Sequence, residues 1–242
     1  MKHRKGMALL LTALLLAGGA FAGLFLYGRY FGKAPHPSEK LYPVRGVDLS
    51  AHNGAVDFDV LGGQGIAFAY LKATEGTDFI DRYFIDNARR ALRSGLPCGA
   101  YHFFRFDTDG ELQALNFNDA LRGRDFALPP AIDIEEWGNP DGHATASIVE
   151  RLRRMIQTLE RLGHSPILYT NKDGYYRFVR GNFDNYPLWI CSFTDPPLEG
   201  ARSSWVFWQY SHRGRLEGVE GTVDLDVFAG SEEEFERFLV AK

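Results

Sequence analysis

Cysteine is scarce in this chain. Cys98 and Cys191 are the only two, and neither sits in a Cys-x-x-Cys or Cys/His ligand spacing. That excludes a zinc module and a disulfide framework, and it casts both residues as buried thiols. Excess positive charge is also lacking. With 27 Lys and Arg against 31 Asp and Glu, the formal net charge is -4, so there is no basic field to hold a nucleic acid. Like-charge runs are confined to the Lys/His/Arg cluster at residues 2–5 and to Glu232, Glu233 and Glu234. No His-x-His or His-Glu-x-x-His spacing occurs, which leaves a metal hydrolase built from Asp48, His52, His102 and Asp133 without a motif; no metal or other cofactor is expected. What remains is 242 residues that are 45% hydrophobic and 14% aromatic. That is enough for one barrel-sized core.

The chain divides into three parts. Residues 1–32 start basic, and the stretch from Met7 to Tyr27 is almost wholly apolar, which reads as an export signal or a membrane anchor. Ala20-Phe21-Ala22 offers a cleavage site, yet the apolar run continues past it. A spanning length of about 20 residues favours an uncleaved anchor. Basic residues before the span would stay inside, leaving the rest outside the cytoplasm. Residues 33–43 carry Pro35, Pro37 and Pro43 and no periodicity, as a linker does. Residues 44–242 form the expected domain, with no feature that requires a second copy.

Within that domain, short β-rich runs alternate with helical patterns, which argues for parallel strands joined by crossover helices. Eight strands are expected, at 46–50, 67–73, 99–104, 131–135, 167–171, 188–192, 206–211 and 223–228. Helices are expected at 58–62, 82–94, 110–121, 146–162, 175–179 and 232–240. Between the last three strands, loops rich in Pro, Gly and Ser replace amphipathic helices. The expected fold is therefore α/β, a β/α barrel whose last part lacks helices.

The stretch from Pro129 to Trp137 places Asp133 and Glu135 two residues apart in an apolar run. In a strand these two carboxylates share one face while Ile132 and Ile134 pack on the other. Crowding and a partly apolar surround favour keeping one of them protonated while the other stays ionised, as acid catalysis requires. A cap or an arginine partner is the rival reading of such a pair. In a β/α barrel, functional groups come from the strand ends at one rim. Asp48, Tyr101, Tyr169, Trp189, Gln209, Asp224 and Asp226 all fall at comparable ends. Carboxylates and flat apolar faces converging there suit a sugar.

These residues lie in motifs that resemble glycoside hydrolase family 25, the lysozymes that act as N-acetylmuramidases. The motifs are GVDLS from Gly46, LKATEG from Leu71, GAYHFFR from Gly99, AIDIE from Ala131, ILYTN from Ile167, LWIC from Leu188, WQYS from Trp208 and VDLDVF from Val223. The resemblance implies a modified TIM-like barrel of five β/α units followed by three strands. It implies hydrolysis of the β-1,4 bond between N-acetylmuramic acid and N-acetylglucosamine in peptidoglycan glycan strands. By motif, Glu135 matches the general acid and Asp133 its acidic partner, with Asp48 and Asp224 as further pocket carboxylates. Tyr101, Tyr169, Trp189 and Gln209 are the expected substrate contacts, and Glu75 and His102 the expected orienting residues. The chain departs from the pattern at Asp226, where related sequences often carry Asn. A non-catalytic glycan-binding protein with the same rim is the alternative, and retention of all four carboxylates argues against it.

Overall fold

The computed structural model describes residues 36–194, 197–198 and 205–239. The expected signal or anchor at residues 1–32 lies outside them, as does the start of the linker. Among the described residues no helix is long and apolar enough to cross a membrane.

The strands are β1 (Arg45–Leu49), β2 (Phe68–Glu75), β3 (Phe79–Ile80), β4 (Cys98–Phe103), β5 (Ala131–Asp133), β6 (Ile167–Asn171), β7 (Leu188–Cys191), β8 (Trp205–Gly214) and β9 (Val223–Phe228). All eight expected strands are present within a few residues of their expected ends. The addition is β3, a two-residue strand that pairs back on the end of β2. The order β1-β9-β8-β7-β6-β5-β4-β2, closed by the β1–β2 pairing, makes an eight-stranded barrel. Its strands are parallel from β1 through β8, but β9 runs antiparallel to both β8 and β1. The expectation of parallel strands therefore fails at the last one. Only residues 215–222 connect β8 to β9, and a parallel return needs a crossover of about a dozen residues or more.

Helices α1 (Phe58–Gly63), α2 (Phe84–Ser94), α3 (Gly110–Leu121) and α4 (Thr145–Arg161) fill the first four crossovers. Lys172–Gly174, running into a π-helical turn at Tyr175–Val179, fills the fifth, and α5 (Glu232–Phe238) follows the last strand. This matches five β/α units followed by three strands. Side-chain oxygens of Asp57, Asp109 and Ser231 cap α1, α3 and α5, accepting hydrogen bonds from first-turn backbone N–H groups that lack helical partners. On α4, Ile148, Leu152, Met155, Ile156 and Leu159 are buried at helical spacing against the barrel's outer face.

The core has two shells. Ile132, Ile134, Leu168 and Ile190 point outward to the helices, while Phe68, Tyr70, Tyr169, Trp189, Phe207 and Phe228 fill the lumen. The lumen is aromatic to a degree that demands small partners. A Cβ at Gly46 would lie 2.3 Å from the Phe68 ring, and one at Gly99 would lie 2.5 Å from the Tyr70 ring. Phe235 of α5 stacks 5.5 Å from Phe68 and 5.3 Å from Phe228, closing the end of the barrel on which these rings lie. The opposite end stays open to the site.

Candidate active site

Period-two alternation turns Asp133 and Glu135 inward at the end of β5, because Ile132 and Ile134 are committed to the helix shell. Glu135 lies just past the strand, where its backbone is pinned. The Asn139 amide donates to the Glu135 carbonyl at 2.8 Å and to the Phe104 carbonyl at 3.0 Å, and its oxygen accepts from the Phe106 N–H at 2.9 Å. The Thr170 hydroxyl donates to the Ile134 carbonyl at 2.6 Å. The loop that carries Glu135 is thus tied to β4 and β6.

Both carboxyls titrate high. Burial raises Asp133 well above the usual carboxylate range, with Glu135 adding to it and Lys72 opposing it. Its Oδ1 is buried without a hydrogen-bond partner. Burial also lifts Glu135 from its ordinary 4.5 to about 6, against the Tyr169 hydroxyl, which favours the ionised form. Burial raises both acids, and Asp133 is the more enclosed of the two.

Across the cleft the carboxyls come from the barrel's seam. Antiparallel pairing sets Asp48 of β1 directly opposite Asp224 of β9. The start of β9 therefore reaches the rim where the other strands end. Asp48 is held by a relay in which the Tyr169 hydroxyl donates to Gln209 Oε1 at 2.9 Å and Gln209 Nε2 donates to Asp48 Oδ2 at 2.7 Å. Burial, then Asp224 and Asp226, push Asp48 well up. Burial lifts Asp224 to about 6.

The eight residues expected as pocket carboxylates or substrate contacts all line one cleft of about 580 Å³: Asp48, Tyr101, Asp133, Glu135, Tyr169, Trp189, Gln209 and Asp224. They are not equally accessible. Trp189 is 2% exposed, with ring centroids 4.7 Å from both Tyr70, tilted against it, and Tyr169, packed edge to face. Its indole N–H donates to Asp226 at 2.8 Å. So little of its ring is exposed that it serves as part of the cleft floor. Trp137 has the open ring, at 82% exposure, facing a wall that includes half-exposed Phe79 and Ile80.

That wall is what the sequence did not show. Strand β3 is two residues long between turns, too short for periodicity to register, and it adds Phe79 and Ile80 to the cleft with Asp81 behind them. Asp81 is buried and accepts the backbone N–H groups of Ala51 and Tyr83 at 2.8 and 2.9 Å, joining the β1 and β3 loops. His102 lies outside the cleft. Its ring is fully buried between Thr74 Oγ1 (2.7 Å) and Gln113 Oε1 (3.1 Å), and burial lowers it to about 4. The Gln113 amide nitrogen is spent on the Arg105 and Thr108 carbonyls, so its oxygen faces Nε2–H and the ring is neutral. With both nitrogens engaged, His102 has none for a metal. No group of three His, Cys, Asp or Glu side chains suited to a metal ion occurs among the described residues. Glu75 pairs with Lys72 at 2.9 Å and Arg105 at 3.4 Å.

Comparison with known proteins places this geometry. The model of the glycosyl hydrolases family 25 matches residues 47–219. Lysozyme M1 of Streptomyces globisporus is 32% identical over 204 residues, covering 78% of this chain and 68% of that protein. An uncharacterised Escherichia coli protein, YegX, is 30% identical over 223 residues, covering 88% and 81%. The solved structure of a family 25 glycosyl hydrolase from Bacillus anthracis superposes with a TM-score of 0.79 at 37% identity, covering 86% of this chain and 99% of that one.

Proposed function

The chain belongs to glycosyl hydrolase family 25, and from that premise we propose that it is a muramidase cleaving the β-1,4 bond between N-acetylmuramic acid and N-acetylglucosamine in peptidoglycan. The observation that carries this reading is the convergence of Asp48, Asp133, Glu135 and Asp224 on one cleft, with burial raising each of them. A carboxyl that keeps its proton to about pH 6 can give it to a glycosidic oxygen. A protein that only bound glycan would need acceptors and aromatic faces, not enclosed acids, which disfavours the non-catalytic alternative.

In this mechanism Glu135, the more open of the pair, protonates the leaving oxygen as the glycosidic bond breaks. Asp133 shares its strand and face, an arrangement that suits neither a nucleophile nor the base of an inverting pair across the sugar. It instead accepts the N–H of the substrate's acetamido group, whose carbonyl oxygen forms the new bond to the anomeric carbon. Water then opens that ring, losing a proton to Glu135 and restoring the acid. Asp48, held by Gln209, and Asp224 stabilise the positive charge that builds on the sugar. Tyr101 and the open face of Trp137 hold neighbouring rings.

Reducing-end analysis by mass spectrometry of fragments released from purified peptidoglycan tests the bond. Muramic acid ends are expected, and N-acetylglucosamine ends would overturn the assignment. Residues 1–32 carry the further proposal that a membrane anchor holds a monomeric catalytic domain, residues 44–242, outside the cytoplasm. A mature chain beginning at Gly23 would show cleavage instead.

A further inference from the structure

Asp226 has no part in the reaction above, yet it is a fully buried carboxyl with no exposure at all. Oδ1 accepts the Trp189 indole N–H at 2.8 Å, while Oδ2 is buried and no protein donor reaches it. The β1–β9 register places Asp226 opposite Gly46 and Asp224 opposite Asp48. Asp226 and Asp48 are therefore diagonal neighbours on the inward face of adjacent strands, and their carboxyls are within hydrogen-bonding reach. Gly46, opposite Asp226, contributes no side chain of its own. Two carboxylates at this distance repel, and neither can donate. One proton between them satisfies Oδ2 and removes the repulsion. The titratable groups facing the pair are Asp224 on β9, Tyr70 on β2, Tyr101 on β4, Tyr169 on β6, Cys191 on β7 and Tyr210 on β8, none of which supplies positive charge. Burial is the main cause that raises both acids.

We propose that Asp48 and Asp226 hold a single proton between them, and that Asp226 is a positioning residue that takes this proton from Asp48 as positive charge develops on the sugar. The O–H bond on Asp48 breaks and one on Asp226 forms. The pair keeps one negative charge throughout, and that charge moves from the buried carboxyl to the one facing substrate. Gln209 Nε2, already donating to Asp48 Oδ2, holds the carboxyl in line for both states. The shared proton rests on the β1–β9 register and the unpartnered Asp226 Oδ2; its transfer rests on the muramidase reading.

The test is carboxyl NMR on the full chain labelled with ¹³C at aspartate carboxyls, together with the pH dependence of kcat/KM. Asp226→Asn keeps the acceptor for Trp189 and turns an N–H toward Asp48. A protonated aspartate resonance distinct from that of Asp133, which Asp133→Asn assigns, is expected to persist above pH 6 in the unaltered protein and to vanish in both Asp226→Asn and Asp48→Asn. The acidic limb of the rate profile should move down by about one pH unit or more in Asp226→Asn, because an amide donor favours ionised Asp48. A residue needed only for packing would change thermal stability and move neither readout. Independent titration of both carboxyls in the ordinary range, seen in the unaltered protein whether or not the variants fold, would overturn the shared proton. A lost resonance with an unmoved acidic limb would overturn the transfer and leave the pair. Glucosamine reducing ends would overturn the muramidase reading alone.

Discussion

Asp133 and Glu135 on one side of the cleft, and Asp48, Asp224 and Asp226 on the other, are both clusters of enclosed acids, but they are assembled by different geometry. The first is local: one strand and its two-residue period bring the pair together, with Lys72 nearby to offset charge. The second is made by closure of the barrel, where β9 runs against β1 and β8. There the side-chain hydrogen bonds to Asp48 and Asp226 come, among the described residues, from neutral donors, Gln209 and Trp189. A cation can hold a carboxylate ionised, whereas neutral donors in a dry seam leave protonation to do that work. The difference teaches that the local pair is free to exchange protons with substrate, and the seam cluster is built to conserve one.

The sharpest way to break the comparison is to turn each acid into its amide. Glu135→Gln should lower peptidoglycan hydrolysis by about 10²–10⁴-fold, the usual contribution of a general acid, with glycan binding preserved. An aryl glycoside whose leaving group hardly needs a proton should recover much of that rate. Asp133→Asn should be as costly on either substrate, because its partner is the acetamido group and not the leaving oxygen. Steady-state rates on both substrates check this. Near-normal activity of Glu135→Gln on peptidoglycan would move the catalytic centre elsewhere.

A smaller effect concerns stability. For these acids the folded value lies above the unfolded one, so the folded state binds more protons and stability falls as pH rises between them. For Glu135 the window runs from its ordinary 4.5 to about 6, and for Asp224 from 3.8 to about 6. The stability that these acids contribute should therefore be smaller at pH 7.5 than at pH 5, while His102, lowered from 6.5 to about 4, acts in the opposite sense between those two values. An amide escapes this loss. Asp133→Asn should melt higher than the unaltered protein at pH 7.5, while losing activity. Scanning calorimetry at the two pH values reads it, and a lower melting temperature for the variant at pH 7.5 would show that the buried carboxyl is stabilised as an anion.

Much of this was legible beforehand because it depends on short-range periodicity. The eight strands, the five helical crossovers and the inward pairing of Asp133 with Glu135 follow from alternation and helical spacing, which act over a few residues. The short hairpin strand β3 was not legible, since two residues carry no period, and with it went Phe79 and Ile80 as a wall of the cleft. Nor was the burial of Trp189 legible: a tryptophan at a strand end reads as a rim aromatic until Tyr70 and Tyr169 are seen packed against it.

The sequence by itself determined the barrel's repeating units, the family, and which acids line the cleft, since each is written in local pattern or motif. Only the tertiary structure decided the direction of β9, and so which acids touch. Asp226 is nearly 180 residues from Asp48 along the chain, and nothing in either neighbourhood says that they meet. Barrel closure with an antiparallel last strand brings them together, and burial there, which is a property of the whole fold, sets how they hold their proton.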